Sequence, residues 1–164
     1  MDAIELMMED QRRLATQFAG TRDTMGPHEA QALLCEIIRT LSVMATVEEN
    51  LFYPAIAPYA TETVLESLEE HHVIQFLLYE LADMDPASER FPARLAVLRE
   101  IVEQHLHKES RDLLPTAQRF LDGVERFELG RRMLDLRERL SIPEPRVTIQ
   151  FFDREATERP WPEG

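Results

Sequence analysis

The chain has 164 residues, of which 44% are apolar and 30% charged, enough for one soluble globular domain with a real core. Its 18 Lys+Arg against 31 Asp+Glu leave a net charge of −13. That is the wrong sign for nucleic acid or an anionic membrane surface as main partner, and it is compatible with cations.

The lone cysteine, Cys35, has no disulfide mate and reads as a buried, inert thiol in a helix. No apolar run reaches the ~18 residues of a membrane span. MDAIELMMEDQRR places acids before any base, unlike a secretory signal. A cytoplasmic location is the expectation.

Helical periodicity runs through the chain. Segment A, about residues 2–19, carries Ile4, Met7, Met8, Gln11, Leu14, Ala15 and Phe18 at spacings of three and four, which sets them on one face. Gly20 and Pro27 then end one helix and start the next. Segment B, about Pro27 to Tyr53, has the stripe Leu34, Ile37, Ile38, Leu41, Met44, Glu48, Leu51 and Phe52. Pro54 and Pro58 should kink or end it.

Segment C, about Glu62 to Asp83, reads Val64, Leu68, His71, Ile74 or Gln75, Leu78 and Leu81. Segment D, about Ala93 to Leu121, reads Leu95, Leu98, Val102, His105, Glu109 and Leu113. Four such helices with short links predict an all-α, antiparallel up-down-up-down four-helix bundle over residues 1–122. Residues 123–164 add an accessory helix to about Leu140, with Phe127, Met133, Leu136 and Leu140 as its packing positions. An extended tail follows, in which RVTIQFF (146–152) alternates like a strand. A lone strand needs a partner, so the tail is expected to lie on the bundle or to join a second copy in a homodimer.

Four polar residues interrupt the apolar stripes: Glu48, His71, His105 and Glu109. Burial of an unpaired charge costs several kcal/mol unless it is paired or bound to metal. Carboxylates with imidazoles are a ligand set for Fe, Mn or Zn rather than Ca or Mg. Mutual hydrogen bonding of the four without metal is the alternative. The chain also repeats itself weakly. MATVEENLFYP (44–54) and HLHKESRDLLP (105–115) align on their last proline, with Glu48 on Glu109 and Met44 on His105.

In EDQRRLATQF, VEENLFYPAI, EEHHVIQFLLYEL and HLHKESRDLLP, across about residues 1–122, the chain resembles the hemerythrin HHE cation-binding family. That family carries a histidine on the first helix, His-x-x-x-Glu on the second, a histidine on the third and His-x-x-x-Glu on the fourth. They bind two non-haem irons bridged by the two carboxylates. The matching positions here are Glu48, His71, His105 and Glu109. Gln11 stands at the first family histidine and Met44 at the second, so the resemblance implies that one iron position is dismantled. Gln11 reads as a core amide or a weak ligand, and Met44 as packing. His72 or His107 would be needed for a third imidazole. His28 reads as surface.

The resemblance implies one non-haem iron, with two irons, Mn or Zn as alternatives. Its expected role is to sense or handle dioxygen, nitric oxide or peroxide, or to hold iron. Reversible dioxygen carriage of the two-iron kind is not expected. A single-iron oxidoreductase is a lesser reading, because no substrate pocket or cofactor fingerprint is visible in the sequence. A vestigial site would leave a metal-free scaffold serving as a structural or interaction module.

Overall fold

The computed structural model describes residues 1–21 and 26–142. The expected strand over 146–152 and the rest of the tail lie outside them. The described chain is helical. It runs α1 (Ala3–Gly20), α2 (Pro27–Val47), a π-helical turn π1 (Glu48–Phe52), α3 (Tyr53–Ala82), α4 (Arg90–Lys108), a second π-helical turn π2 (Glu109–Leu113), α5 (Leu114–Phe120) and α6 (Gly123–Ser141).

Local chemistry sets the ends. Asp2 caps α1, accepting from the Ile4 and Glu5 amides while the Glu5 side chain accepts from the Asp2 amide. Asp122 and Glu125 repeat this box at α6. The second and third arms of the bundle are not separated at the prolines. The helix passes through Pro54 and Pro58 and breaks at Ala60, where φ is −151° and ψ 45°. Pro54 and Pro115 each follow a π-turn closed by an i to i−5 bond, Tyr53 N–H to Glu48 C=O and Leu114 N–H to Glu109 C=O. The wider turn clears the carbonyl that a proline ring would strike in a regular α-helix.

Two apolar clusters fill the bundle. One takes Met7 of α1, Val47 of α2, Val64 of α3 and Leu113 of π2. The other takes Leu14, Leu41, Ile74 and Val102. The N-terminal half of α1 enters the first cluster and its C-terminal half the second. In α2 the order is reversed, in α3 it is restored, and along α4 and π2 it is reversed again. This is the up-down-up-down arrangement. Between the clusters, on the second, third and fourth arms, lies a polar layer.

The longest helical run, Pro27–Ala82, contains a window of mean hydropathy 1.4, apolar and long enough to cross a membrane by composition alone. Its Leu34, Ile37, Leu41 and Met44 are core residues here.

α6 runs parallel to α1 and packs on α1, α2 and π1. Leu129 and Met133 join the first cluster, whereas Phe127 and Leu140 are exposed. Gly130 presses on the start of α1, so that a Cβ there would lie 2.6 Å from backbone atoms of Met1, Asp2 and Ala3. Arg126 pairs with Asp2 at 3.3 Å and Arg137 with the buried Asp10 at 2.9 Å. On α1, Met8 is exposed and Leu6 takes an inward place instead. Cys35 is exposed rather than buried.

Candidate metal centre

The polar layer consists of Glu48, His71, His105 and Glu109, each 4% exposed or less. Glu48 opens π1 and Glu109 opens π2. The aligned repeat in the sequence is thus two matching π-turns, each led by a carboxylate. His71 comes from the middle of α3 and His105 from the last turn of α4. Glu48, His71 and His105 each offer a donor atom within 4.8 Å of the other two.

His71 Nε2 lies 3.2 Å from Glu48 Oε2 and 3.1 Å from His105 Nε2. The outer ring nitrogens are engaged as well. His71 Nδ1 is 2.7 Å from Glu49 Oε1, and His105 Nδ1 is 2.7 Å from Glu70 Oε2. A carboxylate accepts, so each Nδ1 carries a proton and each Nε2 turns inward. Lys108 in turn holds Glu70, at 2.5 Å. Burial alone would raise the Glu70 carboxyl, but bonds from His105 and Lys108 hold it below its ordinary range.

Glu109 completes the layer from the other side. Its Oε1 is 3.6 Å from His105 Nε2 and accepts from the Tyr53 hydroxyl at 2.8 Å. Its Oε2 accepts from Gln11 Nε2 at 3.1 Å. Burial and the nearby Glu48 charge push the Glu109 carboxyl up to about 7. Burial opposes a charge on His71, yet the bonds to Glu48 and Glu49 keep its imidazolium up to about 10. Three acceptor atoms (two Nε2 and one carboxylate oxygen) therefore point at one another, and the centre is electrostatically satisfied only by a cation. That cation is a proton or a metal ion.

The hemerythrin HHE cation binding domain model matches residues 2–117. The chain belongs to the hemerythrin HHE cation-binding family. This HHE chain is also similar in fold to a solved structure, the Hemerythrin HHE cation binding domain-containing protein from Mycobacterium kansasii, a homolog of Rv2633c. The identity is 22%, the match covers 85% of this chain and 87% of that one, and the TM-score is 0.78. No curated protein matches it.

Within the HHE bundle the four expected residues share one layer. Gln11 is a half-buried amide bonded to Glu109, and Met44 sits in the second apolar cluster. His28, His72 and His107 are exposed, and His72 lies beside Glu69. None of the three supplies a further imidazole to the layer.

Sequence reasoning missed Tyr53, Glu49 and Glu70. Tyr53 is fully buried, and its hydroxyl lies 3.3 Å from His71 Nε2 as well as against Glu109. Burial and the Glu109 charge raise its phenol well above the ordinary range. The shared Glu-x5-Pro spacing of the two repeats was the one signal for it, because Tyr53 follows Glu48 by the five residues that a π-turn spans. The donor set fits a metal of the Fe, Mn or Zn class: two inward Nε2 atoms, two carboxylates and a phenol oxygen, in an apolar shell. Such an ion would supply an open, redox-capable or Lewis-acidic position.

Proposed function

We propose that this protein binds one non-haem metal ion, iron in the first instance, through Glu48, His71, His105 and Glu109. It uses the ion to sense or handle a small molecule such as dioxygen, nitric oxide or peroxide, or to hold iron, rather than as an enzyme. The observation that carries this reading is the convergence of the Nε2 atoms of His71 and His105 with Glu48 Oε2, each imidazole fixed from behind by a carboxylate. Membership of a cation-binding family supports it. One ion is favoured over two because the amide of Gln11 is engaged with Glu109 and Met44 is packed among hydrophobes.

The test is metal content by plasma mass spectrometry on untagged protein purified without chelator, beside a Glu48→Ala/His105→Ala double variant. About one Fe per chain, lost in the variant, is the expected result. Protein that stays metal-free even after anaerobic reconstitution with ferrous iron would overturn the reading and favour the vacated scaffold.

A further inference from the structure

A surface groove of about 630 Å³ runs between α1 and the arm formed by α4 and α5. Ile4, Met8, Ala15, Leu106, Leu114 and Pro115 give it apolar walls. Gln11, Ser110, Arg12, His107 and Gln118 also line it, and the first two close it towards the metal layer. Ser110 Oγ donates to Gln11 Oε1 at 3.0 Å, and Gln11 Nε2 donates to Glu109 Oε2 at 3.1 Å. Glu109 itself has no exposed surface. The carboxamide of Gln11 therefore lies between an open groove and a carboxylate of the buried centre. Apolar clusters pack the layer above and below.

We propose that this groove is the entry route for a small uncharged diatomic molecule, and that Gln11 is its gate. The inference rests on the metal-site reading above. The lining is mainly apolar, which disfavours an ion despite Arg12 and His107 at the groove. The buried Glu109 carboxylate behind Gln11, in a chain of net charge −13, disfavours an anion. A histidine bound to metal at position 11 would be fixed in place. The amide is held by one hydrogen bond to a carboxylate and one to a hydroxyl, and swings aside on a flexible stem without breaking any bond to metal.

The experiment uses the full chain loaded anaerobically with ferrous iron, with iron content assayed on every sample. Nitric oxide uptake is followed by stopped-flow absorbance. Gln11→Ala should take it up roughly a hundredfold faster, the ratio expected when one charge-assisted and one neutral hydrogen bond are no longer broken in each opening. Ala15→Phe, at an exposed wall position that tolerates a larger side chain, should fill the groove and slow uptake. Wild-type rates in both iron-loaded variants would overturn the route, and slower uptake in Gln11→Ala would overturn the gate. Failure of the wild-type protein to load iron would overturn the metal reading and the route with it, and the iron assay separates that outcome from the others.

Discussion

His71 and His105 meet Nε2 to Nε2 at 3.1 Å, and each ring is pinned through Nδ1 by a carboxylate from an adjoining element, Glu49 of π1 and Glu70 of α3. These carboxylates choose the tautomer and the ring orientation. Glu49→Gln or Glu70→Gln removes the fixed acceptor while keeping the shape. Metal affinity should fall about 10–100-fold in each variant, with about one ion per chain still bound at saturation. Competition titration against a chromophoric chelator measures this. Unchanged affinity in both would show that the rings are set by packing alone.

Metal binding should release protons. His71 holds its proton up to about 10 in the metal-free protein, and Glu109 up to about 7. An incoming ion must displace them. Affinity should therefore rise about tenfold per pH unit through the neutral range, more steeply below about 7, and level off above about 10. Titration calorimetry in buffers of different ionisation enthalpy counts the protons.

The same shifts fix the sign for folding. Both groups have folded values above their ordinary values of 6.5 and 4.5. The stability they contribute is fully present below those ordinary values and is lost as pH rises through about 7 for Glu109 and about 10 for His71. Metal-free protein should unfold at lower urea at pH 9 than at pH 6, and bound metal should flatten that trend. A metal-free midpoint that rises with pH over this range would contradict it.

The Tyr53 hydroxyl touches both Glu109 and His71, which places a phenol oxygen beside the donor atoms. A ferric-loaded wild-type protein should show visible phenolate-to-iron charge-transfer absorption, and Tyr53→Phe should lose it while retaining iron. Iron-loaded wild-type protein without that band, or a variant with the same band, would leave Tyr53 as a hydrogen-bond partner of Glu109 and not a ligand.

α6 is fastened to α1 where Gly130 meets Met1–Ala3. Gly130→Val should destabilise the fold by about 1–3 kcal/mol, because the clash is with backbone that cannot rotate away. At roughly 2–4 °C per kcal/mol, the melting temperature should drop by several degrees. Metal stoichiometry should hold, since Gly130 is not in the metal layer. A melting temperature equal to wild type would mean that α6 shifts freely on the bundle.

Periodicity placed Glu48, His71, His105 and Glu109 inward because an α-helix carries one face through regular spacing, and a polar residue on an apolar face is visible in one dimension. The same logic failed at Tyr53. A π-turn inserts one residue into the helix, and the register after Glu48 moves off the α-helical pattern, so a side chain that looked like the end of a helix became part of the centre. Pro54 misled for the same reason, since the π-turn before it accommodates its ring, and the break falls at Ala60, two residues past Pro58.

The sequence by itself determined a bundle of amphipathic helices and the four polar positions in its core, since both follow from the local spacing of side-chain types. Tertiary structure alone decided which carboxylate orients which imidazole, that Gln11 reaches Glu109 across the bundle, and that α6 lies parallel to α1 with Leu129 rather than Phe127 inward. Those are contacts between residues far apart in the chain, and they are set by how helices rotate and slide to bury their shared apolar surface.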